Sequence, residues 1–85
     1  MGYGIVEIAR RALAGKVVKK TDVMLGKYMT ISVRLKSKGD DLYVVMACRA
    51  VANHQYYPMD LREFLALTDA MLSTKAAIES SKNSD

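Results

Sequence analysis

The sequence lacks most of the residues that covalent stapling and catalysis require. Cys48 is the single cysteine among 85 residues, so no internal disulfide can form and the chain is not a disulfide-stapled secreted domain. Within its apolar run, Cys48 reads as a buried, unreactive thiol. His54 is the only histidine, and no Ser-His-Asp, Cys-His or paired-carboxylate arrangement accompanies it. Metal-ligand spacing is missing, and the only N-terminal glycines, Gly2 and Gly4, flank a tyrosine rather than forming a phosphate-cradling loop. These absences predict a protein that is not an enzyme and that uses no cofactor or metal. No apolar run reaches the roughly 20 residues of a membrane span. Glu7, Arg10 and Arg11 interrupt the apolar character of the N-terminus that a leader would need. The chain therefore reads as intracellular, nuclear or cytoplasmic, with no membrane attachment.

Acid is scarce in the first half. Residues 1–40 hold nine Lys/Arg (10, 11, 16, 19, 20, 27, 34, 36, 38) against three acids (7, 22, 40), whereas residues 41–85 hold four (49, 62, 75, 82) against six (41, 60, 63, 69, 79, 85). The overall charge of +4 thus hides a strongly basic first half, which suits a polyanionic partner; the plainer alternative is a basic protein with solvated lysines. With 51% hydrophobic residues the chain is globular, and its length makes one domain, residues 1–78, followed by a disordered tail over 79–85. A domain of this size buries only roughly 60–65% of the surface of its unfolded chain. Self-association or a protein partner would add stability to so thin a core.

The clearest pattern lies between Tyr28 and Lys36. Met29, Ile31, Val33 and Leu35 alternate with Tyr28, Thr30, Ser32, Arg34 and Lys36, which is the period of a half-buried strand. One face is apolar; the other carries cations, hydroxyls and an aromatic ring but no acid. Such a face can hold a phosphate backbone and stack bases, or it can be an ordinary solvated sheet face. Residues 4–14 carry a helical spacing ended by Gly15. Residues 16–25 hold two short β-like pieces, at least one of them a strand. Ser37-Lys38-Gly39-Asp40 is a hairpin signal, and residues 42–52 read as a long central strand, apolar on both faces until Arg49. Pro58 confines the following segment, Tyr56–Met59, to an edge or a strand end. Asp60 then caps a helix, with Glu63 completing a capping box and Leu61, Phe64, Leu65, Met71 and Leu72 forming an apolar stripe to about Ile78. The expected fold is α+β: an antiparallel sheet of three to four strands, a C-terminal amphipathic helix packed on one face, and a short N-terminal helix.

Two pieces in this order, Gly26-Lys27-Tyr28-Met29-Thr30-Ile31-Ser32-Val33-Arg34 with Leu42–Arg49 after a glycine turn, and then Met59–Leu67, resemble the single-stranded nucleic-acid-binding folds of the transcriptional positive-coactivator, Whirly and Pur-alpha group. The resemblance covers roughly residues 22–73. It implies a basic sheet surface that binds single-stranded DNA or RNA in a homodimer, with helices on the other side. On that reading Lys27, Arg34 and Lys36 contact phosphate, Tyr28 and Tyr43 stack bases, and Arg49 joins them. Plainer roles stay open: Tyr43 as sheet packing, Arg49 as the ion-pair partner of Asp60 or Asp69. The alternative function is a small protein-interaction subunit that docks through its apolar strand or its amphipathic helix and binds no nucleic acid.

Overall fold

A computed structural model describes residues 13–83. Four strands follow one another as an antiparallel meander: β1 (Lys16–Leu25), β2 (Met29–Lys38), β3 (Asp41–Arg49) and β4 (His54–Met59), in the spatial order β1-β2-β3-β4. One helix, α1 (Leu61–Asn83), closes the chain. The expected α+β architecture with four antiparallel strands and a C-terminal helix is thus present. The helix expected over residues 4–14 lies outside the described residues except at its end.

Local chemistry explains each boundary. Gly39 and Asp40 form a two-residue hairpin loop between the paired residues Lys38 and Asp41. Gly39 has φ +61°, as the first central position of a type II′ turn requires, a turn that matches the natural twist of the strands. Residues 16–25 are one strand rather than two pieces, with an irregularity in register between Val17 and Lys19. This bulge accounts for the broken alternation of the sequence there. Pro58 sits on β4, the outermost strand on its side, where a missing N–H costs the sheet nothing. Asp60 and Glu63 form the predicted capping box: the Glu63 amide donates to Asp60 Oδ1 at 2.7 Å, and the Asp60 amide donates to Glu63 Oε1 at 2.9 Å.

The expected tail at 79–85 is corrected in part, because α1 continues through Asn83. After Pro58 the chain contains neither Gly nor Pro to stop a helix, and Lys82 in the last turn suits the negative end of the helix dipole.

Period-two alternation sorts the sheet into two faces. On one, the cross-strand rows are Lys20–Arg34–Val45–Pro58, Asp22–Ser32–Ala47–Tyr56 and Met24–Thr30–Arg49–His54, with Lys36 opposite Tyr43. On the other, the rows are Thr21–Val33–Met46–Tyr57 and Val23–Ile31–Cys48–Gln55, with Lys19, Leu35, Val44 and Met59 in line. Helix α1 meets this second, apolar face through its first turns. There Leu61 and Phe64 border a groove of about 340 Å³ with Val33, Leu35 and Val44. Farther along, the helix leaves the sheet: Leu65, Met71, Leu72 and Ile78 of its apolar stripe are exposed.

The deepest burial is on the opposite, cationic face. Val45 and Ala47 are fully enclosed, Tyr43 is 2% exposed, and Tyr56 packs against the Tyr43–Val45 pair. The Tyr43 hydroxyl donates to the Ala14 carbonyl at 2.9 Å. Beside it Gly15, at φ +77°, approaches so closely that an added Cβ would lie 2.7 Å from the Ser37 carbonyl oxygen and 3.0 Å from the Tyr43 hydroxyl. This contact pins the start of β1 to the far end of the β2–β3 hairpin, and only glycine satisfies both its backbone conformation and its space.

Gly15→Ala is therefore expected to destabilise the fold by about 1–3 kcal/mol or more in urea titration. Asp60→Ala, which removes the helix cap, is expected to cost about 1 kcal/mol in the same measurement.

Candidate nucleic-acid interface

The register of β1, β2 and β3 places Lys20, Arg34 and Arg49 on one face, around a single acid, Asp22. Arg34 Nε donates to Ser32 Oγ at 3.3 Å, and Lys20 Nζ lies 3.7 Å from Asp22 Oδ2. The Ser32 hydroxyl in turn bonds the Asp22 carboxylate, so Ser32 is a relay between a guanidinium and an acid. That hydrogen bond first, and then the charges of Lys20, Arg49 and Arg34, hold the Asp22 carboxyl below its ordinary range, against an opposing effect of desolvation. The acid that Arg49 influences is thus Asp22, rather than the Asp60 or Asp69 suggested by the sequence. Lys20 is the ion-pair partner of Asp22, Arg34 and Arg49 act on it only through their charge, and the cluster keeps a positive excess.

The six residues expected to meet a nucleic acid are placed unequally. Arg34, Lys36, Tyr43 and Arg49 all belong to the cationic face, because they occupy matching positions in the β2–β3 register. Arg34 is half-buried and Arg49 exposed. Lys27 and Tyr28 lie in the turn between β1 and β2, at the end of the sheet where Thr30 and Arg49 pair; Tyr28 is 71% exposed. Lys36 and Tyr43 require correction as contact residues. Lys36 is 3% exposed, and burial, with the nearby Arg34 charge, pushes its ammonium below the usual lysine range. A ring as enclosed as Tyr43 has no free π-face for a base, and its hydroxyl is engaged with Ala14. Sheet packing, the plainer of the two roles open for Tyr43, is the one it fills.

Two further residues complete the surface, Lys20 and Asp22. The sequence held a signal for them, since an alternating pair at 20 and 22 extends the even-numbered face of β2 onto its neighbour. The bulge at Val18 conceals that continuity. Among the described residues no group of three or more His, Cys, Asp or Glu could hold a metal ion, and no helix is long and apolar enough to cross a membrane.

Compared with protein-family models, curated proteins and solved structures, the chain gives no match.

Because the Asp22 pKa is depressed in the fold, its contribution to stability is complete above the unfolded carboxylate value near 3.8 and is lost as pH falls through the lower folded value. An NMR titration is expected to place the Asp22 midpoint below 3.8, and Ser32→Ala is expected to move it back toward that value.

Proposed function

We propose that the protein binds single-stranded nucleic acid, DNA or RNA, on the cationic face around Lys20, Arg34 and Arg49, and that it does so as a homodimer. The observation that carries the binding reading is the placement of three cations from three strands on one face of the sheet around a single carboxylate, Asp22. Arg34 and Arg49 offer forked donors to phosphate, and Lys20 adds a mobile point charge. Tyr28 and Lys27 at the neighbouring turn supply an exposed ring for a base and a further cation. The activity is binding without turnover. Lys36 supports the surface from beneath and makes no first contact with the ligand.

Self-association is supported by the surface that the chain leaves uncovered. Large apolar side chains stand exposed along it, from Val23 and Leu25 on β1 to Met71 and Leu72 on α1, and a second copy would cover them. The same α1 stripe favours a second reading, a subunit that docks on a different protein and binds no nucleic acid.

Fluorescence anisotropy with labelled single-stranded DNA, single-stranded RNA and duplex, at two salt concentrations, tests the proposal. Binding to single strands is expected, weakening with a log–log salt slope of about −0.7 per neutralised phosphate. Arg34→Ala combined with Arg49→Ala is expected to reduce that slope by roughly 1.4 while leaving the fold intact. An absence of binding even at low salt would overturn the nucleic-acid reading in favour of the protein-docking one.

A further inference from the structure

The sheet has two edges, and they differ in what they offer. β4 is short, six residues, and carries Pro58, which cannot donate to a neighbouring strand. β1 is ten residues long, every one of them exposed, and among the described residues it has no strand on its outer side. A long edge strand is a template for pairing with another chain, and Lys residues along it ordinarily discourage such pairing. On β1 the lysines Lys16, Lys19 and Lys20 are accompanied by one acid, Asp22, and its position matters.

We propose that β1 is the self-association edge: two copies pair their β1 strands antiparallel about a two-fold axis at Thr21, joining the two sheets into one of eight strands. The proposal rests on the reading of the protein as a homodimer and names the surface responsible. A two-fold axis perpendicular to the sheet pairs residues whose numbers have a constant even sum, because opposite residues must share a face. Centring the axis on Thr21 sets Lys20 against Asp22 of the second copy, twice, and Lys19 against Val23 of the second copy. Thr21 then meets its own equivalent, a favourable hydroxyl pair. Neighbouring registers are worse. Centring on Lys19 or Lys20 sets a lysine against its own copy, centring on Asp22 sets two carboxylates together, and centring on Val23 opposes Lys19 to Lys27. Only the Thr21 register forms both ion pairs and faces no like charges. The lysines that discourage indiscriminate pairing thereby select one partner and one register.

The geometry has a consequence for the ligand. A perpendicular two-fold keeps both cationic faces on the same side, so the clusters at Lys20, Arg34 and Arg49 of the two copies adjoin across the seam. One single strand crossing that seam would contact both.

The test uses the full chain in a Cys48→Ala background, with Thr21→Cys. Directly opposed residues in an antiparallel pair have Cα atoms about 4.5–5.5 Å apart, within the span of a disulfide. Mild oxidation is expected to convert nearly all of the Thr21→Cys variant to a covalent dimer on a non-reducing gel. Gln55→Cys, on the other edge, is expected to remain monomeric on the same gel. Independently, Asp22→Lys is expected to weaken the dimer about tenfold by sedimentation, and the exchange Lys20→Asp with Asp22→Lys to restore it. Circular dichroism establishes that each variant is folded. A parent that is dimeric by light scattering while Thr21→Cys fails to cross-link would overturn the β1 pairing but leave the homodimer standing. A parent that is monomeric at every concentration would overturn both. Cross-linking at Thr21 without rescue by the charge exchange would overturn the register.

Discussion

The β2–β3 register is the constraint on which everything else in this protein depends. It sets Ser32 against Ala47, Arg34 against Val45 and Lys36 against Tyr43, and the tight turn at Gly39 fixes it. Because side chains alternate with period two, a slip of one residue would exchange the faces of a whole strand. Arg34 and Lys36 would then take the places of Val33 and Leu35 beneath the first turns of α1. Arg34 and Ser32, neighbours on one face of β2, would move there together and leave the face that Arg49 occupies on β3. The hairpin therefore decides at once which residues form the core, where the helix can land and where positive charge gathers.

Much of this was legible in the chain. The alternation from Met29 to Lys36, the glycine of the hairpin, the position of Pro58 and the Asp60–Glu63 cap each have a local physical cause, and each is found where that cause places it, whereas Tyr28, at the start of the alternating pattern, falls in the turn before β2. What was not legible depends on the third dimension. Lys36 looks from the sequence like one more cation on a solvated face, but it is enclosed, as is Tyr43 opposite it in the register. Alternation reports which side a residue is on and not how deeply that side is covered. The partnership of Asp22 with Ser32, Arg34 and Arg49 was equally hidden, since it joins three strands and no sequence spacing encodes it.

Polarity and burial are therefore decoupled in this sheet. The face richer in charge holds the enclosed centre, Val45 and Ala47, while the face richer in aliphatic side chains remains half-covered. Arg34 is half-buried beside the enclosed Ser32, whereas Lys20 and Arg49 stay exposed, so the charges stand around the enclosed centre rather than in it.

The length of α1 carries a different consequence. Its 23 residues extend about 35 Å, yet only its opening turns rest on the sheet. Starting a helix is the unfavourable step and extending it is comparatively easy. The Asp60–Glu63 box together with Leu61 and Phe64 gives the sheet the role of a nucleus for a rod that otherwise supports itself. Cooperativity should then be divided along the chain. The strands and the base of the helix form one thermodynamic unit, and the outer turns melt from the C-terminal end at lower temperature, so the heat-capacity trace of a single chain would broaden beyond a two-state transition.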